Sequence, residues 1–212
     1  MKVQAFTFND FQENTYVLYD DSSECVIIDP GCNNDQEEKM LSDFIADHKL
    51  TPLGLLNTHC HIDHILGNKY VAEKYALELI AHEGEVPVLQ SGTMVSQMYN
   101  IPYKTSPEIS SYLKDGEDYI FGNSTLKVLF TPGHSPASIS FYNEEHKTLI
   151  AGDVLFQNSI GRTDLPGGNF DILIASIKTK FWSLADETIV YSGHGPSTTI
   201  GKEKMHNPFL QG

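Results

Sequence analysis

Residues 53–64 read "LGLLNTHCHIDH". A short apolar run ends, and positions 59–64 then carry His59, His61, Asp63 and His64. Imidazole and carboxylate are the ligands that zinc, iron and manganese accept. Four such groups in six positions are far denser than a core histidine or a solvated loop needs. The apolar run reads as a buried strand, so the cluster sits where a strand ends. His59 and His61 are two apart on extended backbone and can point the same way. Asp63 and His64 fall where the chain turns into a helix, so they can aim at a second ion. Cys60 alternates away from these groups, into the core, where a free cysteine behaves as a small hydrophobe.

Three further groups repeat the pattern. His134 stands in "FTPGHS", Asp153 in "LIAGD" and His194 in "VYSGHG". Each follows an apolar strand and a glycine. Taken singly, each would be an ordinary polar loop residue. Beside the 59–64 cluster they become ligand candidates, because sites in α/β sheets collect at the carboxyl ends of strands. The set is then His59, His61, Asp63, His64, His134, Asp153 and His194. Catalytic zinc usually takes three protein ligands plus water, so seven are too many for one such ion. Seven suit two ions if one carboxylate bridges. His48, His82, His146 and His206 lack this setting and read as surface residues.

The rest of the chain supports an α/β class, with strands and helices alternating. Residues 14–31 read as a hairpin turning at 20–23. Residues 35–49 form an amphipathic helix, with apolar positions 40, 41, 44 and 45 and acids leading. Residues 68–82 are a helix followed by a strand, and 86–100 are helical. Strands are expected at 124–133, 148–156 and 187–195, with a helix at 171–184. Residues 101–119 look loop-like, and 84–118 could form a lid.

Composition sets bounds. The chain has 212 residues and a formal net charge of −14. That acidity, with no Lys/Arg cluster, argues against nucleic acid and anionic membrane as partners. Three cysteines are too few for a disulfide framework. The first residues lack the apolar core of a signal peptide, and no run is long enough to span a bilayer. The expectation is a reducing, cytoplasmic compartment. Oligomeric state is left open.

The pattern HxHxDH…H…D…H resembles the metallo-β-lactamase superfamily, from about Asn14 to the C-terminus. The resemblance implies an αββα sandwich in a single domain, 1–212. Within the superfamily, "AGDVLF…GRTDLPGG" and "GHGPSTTIGKEKMHNPFL" are similar to compact bacterial type II glyoxalases, the hydroxyacylglutathione hydrolases. Carried over, His59, His61 and His134 would hold one ion and Asp63, His64 and His194 another. Asp153 would bridge, and Asp63 and Asp153 count as catalytic. Asp29, in "IIDPG", matches a buried aspartate that orients a ligand histidine. The implied cofactors are two divalent ions, zinc first, with iron or manganese also suited. The implied substrate is a small anionic thioester such as S-lactoylglutathione, attacked by a metal-bridging hydroxide. Longer type II glyoxalases carry a C-terminal helical domain that grips glutathione, and only 18 residues follow His194 here. Arg162, Lys202 and Lys204 are the candidates for a substrate contact, Arg162 equally for an ion pair with Asp164. Two other chemistries share these motifs: a mononuclear iron persulfide dioxygenase using His59, His134 and Asp153, and a β-lactamase or lactonase.

Overall fold

The computed structural model describes residues 1–211. Contacts divide the chain into two compact units: residues 1–112 with 120–124, and residues 113–119 with 125 onward.

The first unit is built on a six-stranded sheet. It opens with β1 (Lys2–Phe8), β2 (Glu13–Tyr19) and β3 (Glu24–Ile28). Then come α1 (Asp35–Asp47), β4 (Thr51–Leu56), the one-turn α2 (Ile62–Ile65) and α3 (Asn68–Tyr75). It closes with β5 (Leu79–Ala81), α4 (Val86–Tyr99) and β6 (Ile109–Tyr112). The sheet order is β1-β2-β3-β4-β5-β6. The first three strands pair antiparallel, as the hairpin reading requires, and β3 to β6 run parallel. Asn34 caps α1 by accepting from the Gln36 and Glu37 amides, so the acidic first turn sits at the dipole's positive end. Leu41 and Ile45 of α1 pack into one core with Val17, Ile27 and Leu55, but Met40 stays exposed.

The second sheet begins with β7 (Asp118–Phe121), β8 (Ser124–Phe130), β9 (Ile139–Asn143) and β10 (Thr148–Gly152). A small hairpin follows, β11 (Leu155–Phe156) with β12 (Ser159–Ile160), and then α5 (Phe170–Ser176). β13 (Ile189–Ser192), β14 (Thr198–Thr199) and α6 (Ile200–His206) complete the chain. The order is β14-β13-β10-β9-β8-β7, with β10 and β13 parallel. After α5 the helix widens into a π-type turn, Ile177–Phe181. Leu173, Ile177 and Phe181 pack with Leu149, Ala151 and Val190.

Several elements differ from the sequence reading, which expected no strand at β1, β9, β12 or β14. β6 lies within 101–119, the segment that looked loop-like, and β7 begins there at Asp118. β6 is exposed beyond Ile109, so its pattern carries no apolar alternation and only edge pairing with β5 makes it a strand. α6 was not expected either; it is capped by Thr199, whose hydroxyl accepts from the Lys202 amide. Among the described residues, no helix is long and apolar enough to cross a membrane.

Asp20, buried in the β2–β3 turn, ties that turn to the one before β8. It accepts from the Ser22 amide and hydroxyl, the Asn123 amide at 2.8 Å and the Ser124 hydroxyl at 2.7 Å. Burial alone would raise its pKa. The hydrogen bonds from Ser22, Ser124 and Asn123 outweigh it and hold the group at about 2. A carboxyl depressed from about 3.9 contributes about 2 kcal/mol at neutral pH. That contribution is present above about pH 4 and is lost as pH falls toward 2. Urea unfolding of the apo-protein should therefore show Asp20→Asn destabilised at pH 7, with the gap to wild type narrowing by pH 2.5. A gap that stays constant with pH would refute the assignment.

Candidate metal-binding residues

β4 ends in the buried pair Leu55 and Leu56, and the chain then delivers its ligand-type side chains. His59 is almost fully buried. Its Nδ1 lies 3.0 Å from the Thr58 hydroxyl, and that hydroxyl donates to Asp29 Oδ2 at 2.6 Å. Because the hydroxyl proton is used on Asp29, His59 Nδ1 must carry a proton itself, which makes Nε2 the lone-pair atom. His64 Nδ1 lies 3.2 Å from the same Asp29 oxygen, with the same consequence. The His59 ring centroid is 4.8 Å from that of His61 and 4.1 Å from that of His64. One ligand-type atom each of Asp29, His59 and His64 lies within 4.8 Å of the others. Both Asp29 oxygens already accept hydrogen bonds from Thr58, so Asp29 orients histidines here.

Strand ends deliver the other three residues in the second unit. His134 follows β8 through Thr131, Pro132 and Gly133. Gly133 has φ +129, and a Cβ there would sit 2.3 Å from the Leu173 amide nitrogen, so only glycine lets α5 close against this turn. His134 Nδ1 is 2.8 Å from the Arg162 carbonyl, so it donates there and turns Nε2 the other way. Gly161 admits this chain path, since a Cβ on it would lie 1.9 Å from the Asp153 carbonyl oxygen. Asp153 follows β10 directly. Its Oδ2 lies 3.5 Å from His134 Nε2 and 3.5 Å from His194 Nε2.

These separations test whether a divalent ion fits. A spacing of 3.5 Å is too long for a good hydrogen bond, where about 2.7–3.2 Å is expected. Two ligands at about 2.1 Å from a tetrahedral ion are about 3.4 Å apart. The His64 Nε2–Asp63 Oδ2 distance is also 3.5 Å. The donor chemistry therefore fits divalent metal in both units. His134 and His64, whose Nε2 atoms make these spacings, each hold Nδ1 on an acceptor.

The structure also brings in residues that sequence reading passed over. Glu13 begins β2 and is fully buried, with Oε1 3.8 Å from His64 Nδ1. Burial pushes its carboxyl well up; His64 pulls it down, and Asp29 and Asp63 push it further up. Glu85 is likewise buried and accepts the Cys60 amide at 2.9 Å, between His59 and His61. An acid at the edge of an apolar run is the one signal that could have marked Glu13. Cys60 itself is buried, and burial drives its thiol well above the usual range. Of the proposed substrate contacts, Arg162 pairs its guanidinium with Asp164 through two 2.7 Å bonds. Lys204 pairs with Asp186 at 2.7 Å, and Lys202 is exposed on α6. Such exposed pairs contribute little stability.

The model of the "Metallo-beta-lactamase superfamily" matches residues 8–194. The chain belongs to the metallo-β-lactamase superfamily. Its fold is the mixed α/β metallo-β-lactamase fold, two β-sheets flanked by helices. The chain is 35% identical to "Hydroxyacylglutathione hydrolase GloC" of Haemophilus influenzae, over 99% of this chain and 98% of that one. It is 40% identical to a crystal structure of the BLEG-1 B3 metallo-beta-lactamase, which it matches with a TM-score of 0.90 over 100% of both chains. It is 36% identical to TTHA1623 crystallised in a di-iron-bound form, with a TM-score of 0.88 over 98% of this chain and 100% of that one. This superfamily member is a metal-dependent hydrolase carrying candidate metal-binding histidine and aspartate groups.

Proposed function

We propose that the chain hydrolyses a small anionic thioester such as S-lactoylglutathione. Two divalent ions would be held by His59, His61, Asp63, His64, His134, Asp153 and His194, with Asp153 as the bridge. The observation that carries this reading is Asp153 Oδ2 standing 3.5 Å from the Nε2 atoms of two histidines. One carboxylate serving two imidazoles is what a bridge requires. The di-iron form of TTHA1623 and the hydrolase name of the Haemophilus relative support the same reading.

When bound, divalent ions lower the pKa of water from about 15.7 toward 7 and polarise a carbonyl oxygen. The chain's residues do the rest. Asp29, directly and through Thr58, keeps protons on the Nδ1 atoms of His64 and His59. The Arg162 carbonyl does the same for His134. No cysteine competes as nucleophile: burial pushes Cys25 up to about 12 and raises Cys32 and Cys60 as well. A thiolate leaving group, with a conjugate acid near pKa 8.5, needs no separate general acid.

Metal analysis of purified protein should find two divalent ions per chain. S-lactoylglutathione turnover should vanish with chelator and return with added metal. Full activity with one ion or none would sink the two-ion reading. Oxygen uptake with glutathione persulfide would replace the hydrolase with a dioxygenase. The likeness to a B3 metallo-beta-lactamase makes β-lactam hydrolysis the second reading, and nitrocefin turnover tests it.

A further inference from the structure

Asn57 and Asn68 bracket the ligand-rich stretch on either side, and both side chains are fully buried. Buried amides are costly unless every donor is used, so their bonds show what they hold. Asn57 Nδ2 donates to the His64 carbonyl at 3.1 Å and to Asp29 Oδ1 at 3.2 Å. Asn57 Oδ1 accepts from Asn68 Nδ2 at 2.8 Å, and Asn68 Nδ2 also reaches the Ser106 hydroxyl at 2.9 Å. Ser106 is fixed in turn by the Tyr103 hydroxyl, which accepts its amide. The orientation of both amides follows from one fact. A backbone carbonyl only accepts, so Nδ2 of Asn57 must face His64, its Oδ1 must face Asn68, and Asn68 must present its own NH2 group. Asn68 Oδ1 is left buried with no hydrogen-bond partner. An apolar pair would have avoided that cost.

The target of the clamp is α2, which has only four residues and so cannot satisfy its last carbonyls internally. Asn57 takes the His64 carbonyl, and Asn9 Nδ2 takes the Asp63 carbonyl at 3.1 Å. Asn57 also grips Asp29, the acceptor of the His64 ring proton. One amide therefore holds both the main chain and, through Asp29, the ring orientation of the same residue. The backbone of Asn57 is itself anchored, since its amide donates to the Ile80 carbonyl at 2.9 Å.

We propose that the Asn57–Asn68 amide pair is a positioning device for the Asp63–His64 turn and sets the affinity of the metal position that these two residues serve. The inference rests on the two-ion reading above. The test is a titration of apo-protein with Zn(II) against a chromophoric chelator, on wild type, Asn57→Asp, Asn68→Ser and Asp63→Ala. Asn57→Asp keeps the shape but loses both donors. It should weaken one equivalent of zinc about 10- to 100-fold, the usual effect of losing an outer partner of a ligand. The other equivalent should stay within about threefold. The curve should resemble that of Asp63→Ala, and thermal unfolding of the apo-protein should shift far less than zinc binding. Asn68→Ser acts one bond further away and should give a smaller loss of the same selectivity. It also keeps the test open should Asn57→Asp fail to fold. A merely structural role would weaken both equivalents in parallel, and that result overturns the proposal. Wild-type binding of both equivalents by the variants overturns it too, while leaving the two-ion reading intact. Wild-type protein that binds fewer than two ions would overturn both.

Discussion

On the proposed two-ion thioesterase reading, an Asp153→Ala variant is expected to lose at least one of the two divalent ions and to fall more than about 100-fold in thioester hydrolysis. Losing an outer partner of a metal ligand already costs about 10- to 100-fold, so losing a shared ligand should cost more. Asp153 is placed for sharing by backbone geometry. It is the residue after β10, and Gly152 before it has φ +53, a left-handed turn that directs the chain off the sheet. Its carboxylate then lies 3.5 Å from each of two histidines. Asp153→Ala leaves both imidazoles in place, His134 through the Arg162 carbonyl, but without a common oxygen between them. Asp153→Asn is the informative companion. It keeps an oxygen but loses the charge that offsets two dications, so it should bind metal better than Ala and worse than wild type. The readouts are metal stoichiometry and kcat/KM on S-lactoylglutathione. Turnover within about tenfold of wild type, with two ions retained, would remove Asp153 from the bridging role.

The candidate ligands were legible because they are local. Each sits within eight residues of an apolar strand end, at β4, β8, β10 or β13, and strand ends are marked by hydrophobic runs that sequence shows directly. What supports the ligands was not legible. The acceptor for His134 is the main-chain carbonyl of Arg162, and a carbonyl has no residue signature. Sequence drew attention to the Arg162 side chain instead, which turns to Asp164. Asn57 and Asn68 read as ordinary polar residues until burial shows that they lie away from the surface. Glu13 and Glu85 went unnoticed in the net acidity of the chain, yet both are wholly buried within the first unit. β6 escaped for the opposite reason, since an exposed edge strand has no apolar alternation to betray it. α1 shows the limit from a third side: four apolar positions predicted one buried face, and Met40 lies outside it. Periodicity finds elements that bury a face. It does not find polar groups whose partners come from elsewhere in the chain.

Asp29→Ala should be the most destabilising single change outside the apolar core. Four donors converge on this one buried carboxylate: the Thr58 amide at 2.7 Å, the Thr58 hydroxyl at 2.6 Å, and Asn57 Nδ2 and His64 Nδ1 at 3.2 Å each. Asp29 also adopts φ +50, a conformation that aspartate tolerates better than most residues and alanine does not. Each buried donor left without a partner costs about 1–3 kcal/mol. The four losses will not add in full, because neighbouring groups share the relaxation. A net loss of about 3–5 kcal/mol, as for other broken buried polar networks, is therefore the reasonable scale. For a chain of this size, that corresponds to a fall in Tm of about 10 °C. Metal binding should suffer separately, because the His64 ring loses the acceptor that fixes its tautomer and His59 loses the Thr58 hydroxyl orientation. Asp29→Asn separates the two effects. It keeps an acceptor for the Thr58 amide and tolerates the backbone conformation, so much of the stability should return. Its NH2 group can accept from neither the Thr58 hydroxyl nor His64, so metal affinity should remain weakened. Thermal unfolding of apo-protein, run beside a zinc titration, distinguishes these outcomes. An alanine variant that melts within about 2 °C of wild type and binds zinc as tightly would show that the converging hydrogen bonds hold neither the fold nor the histidines.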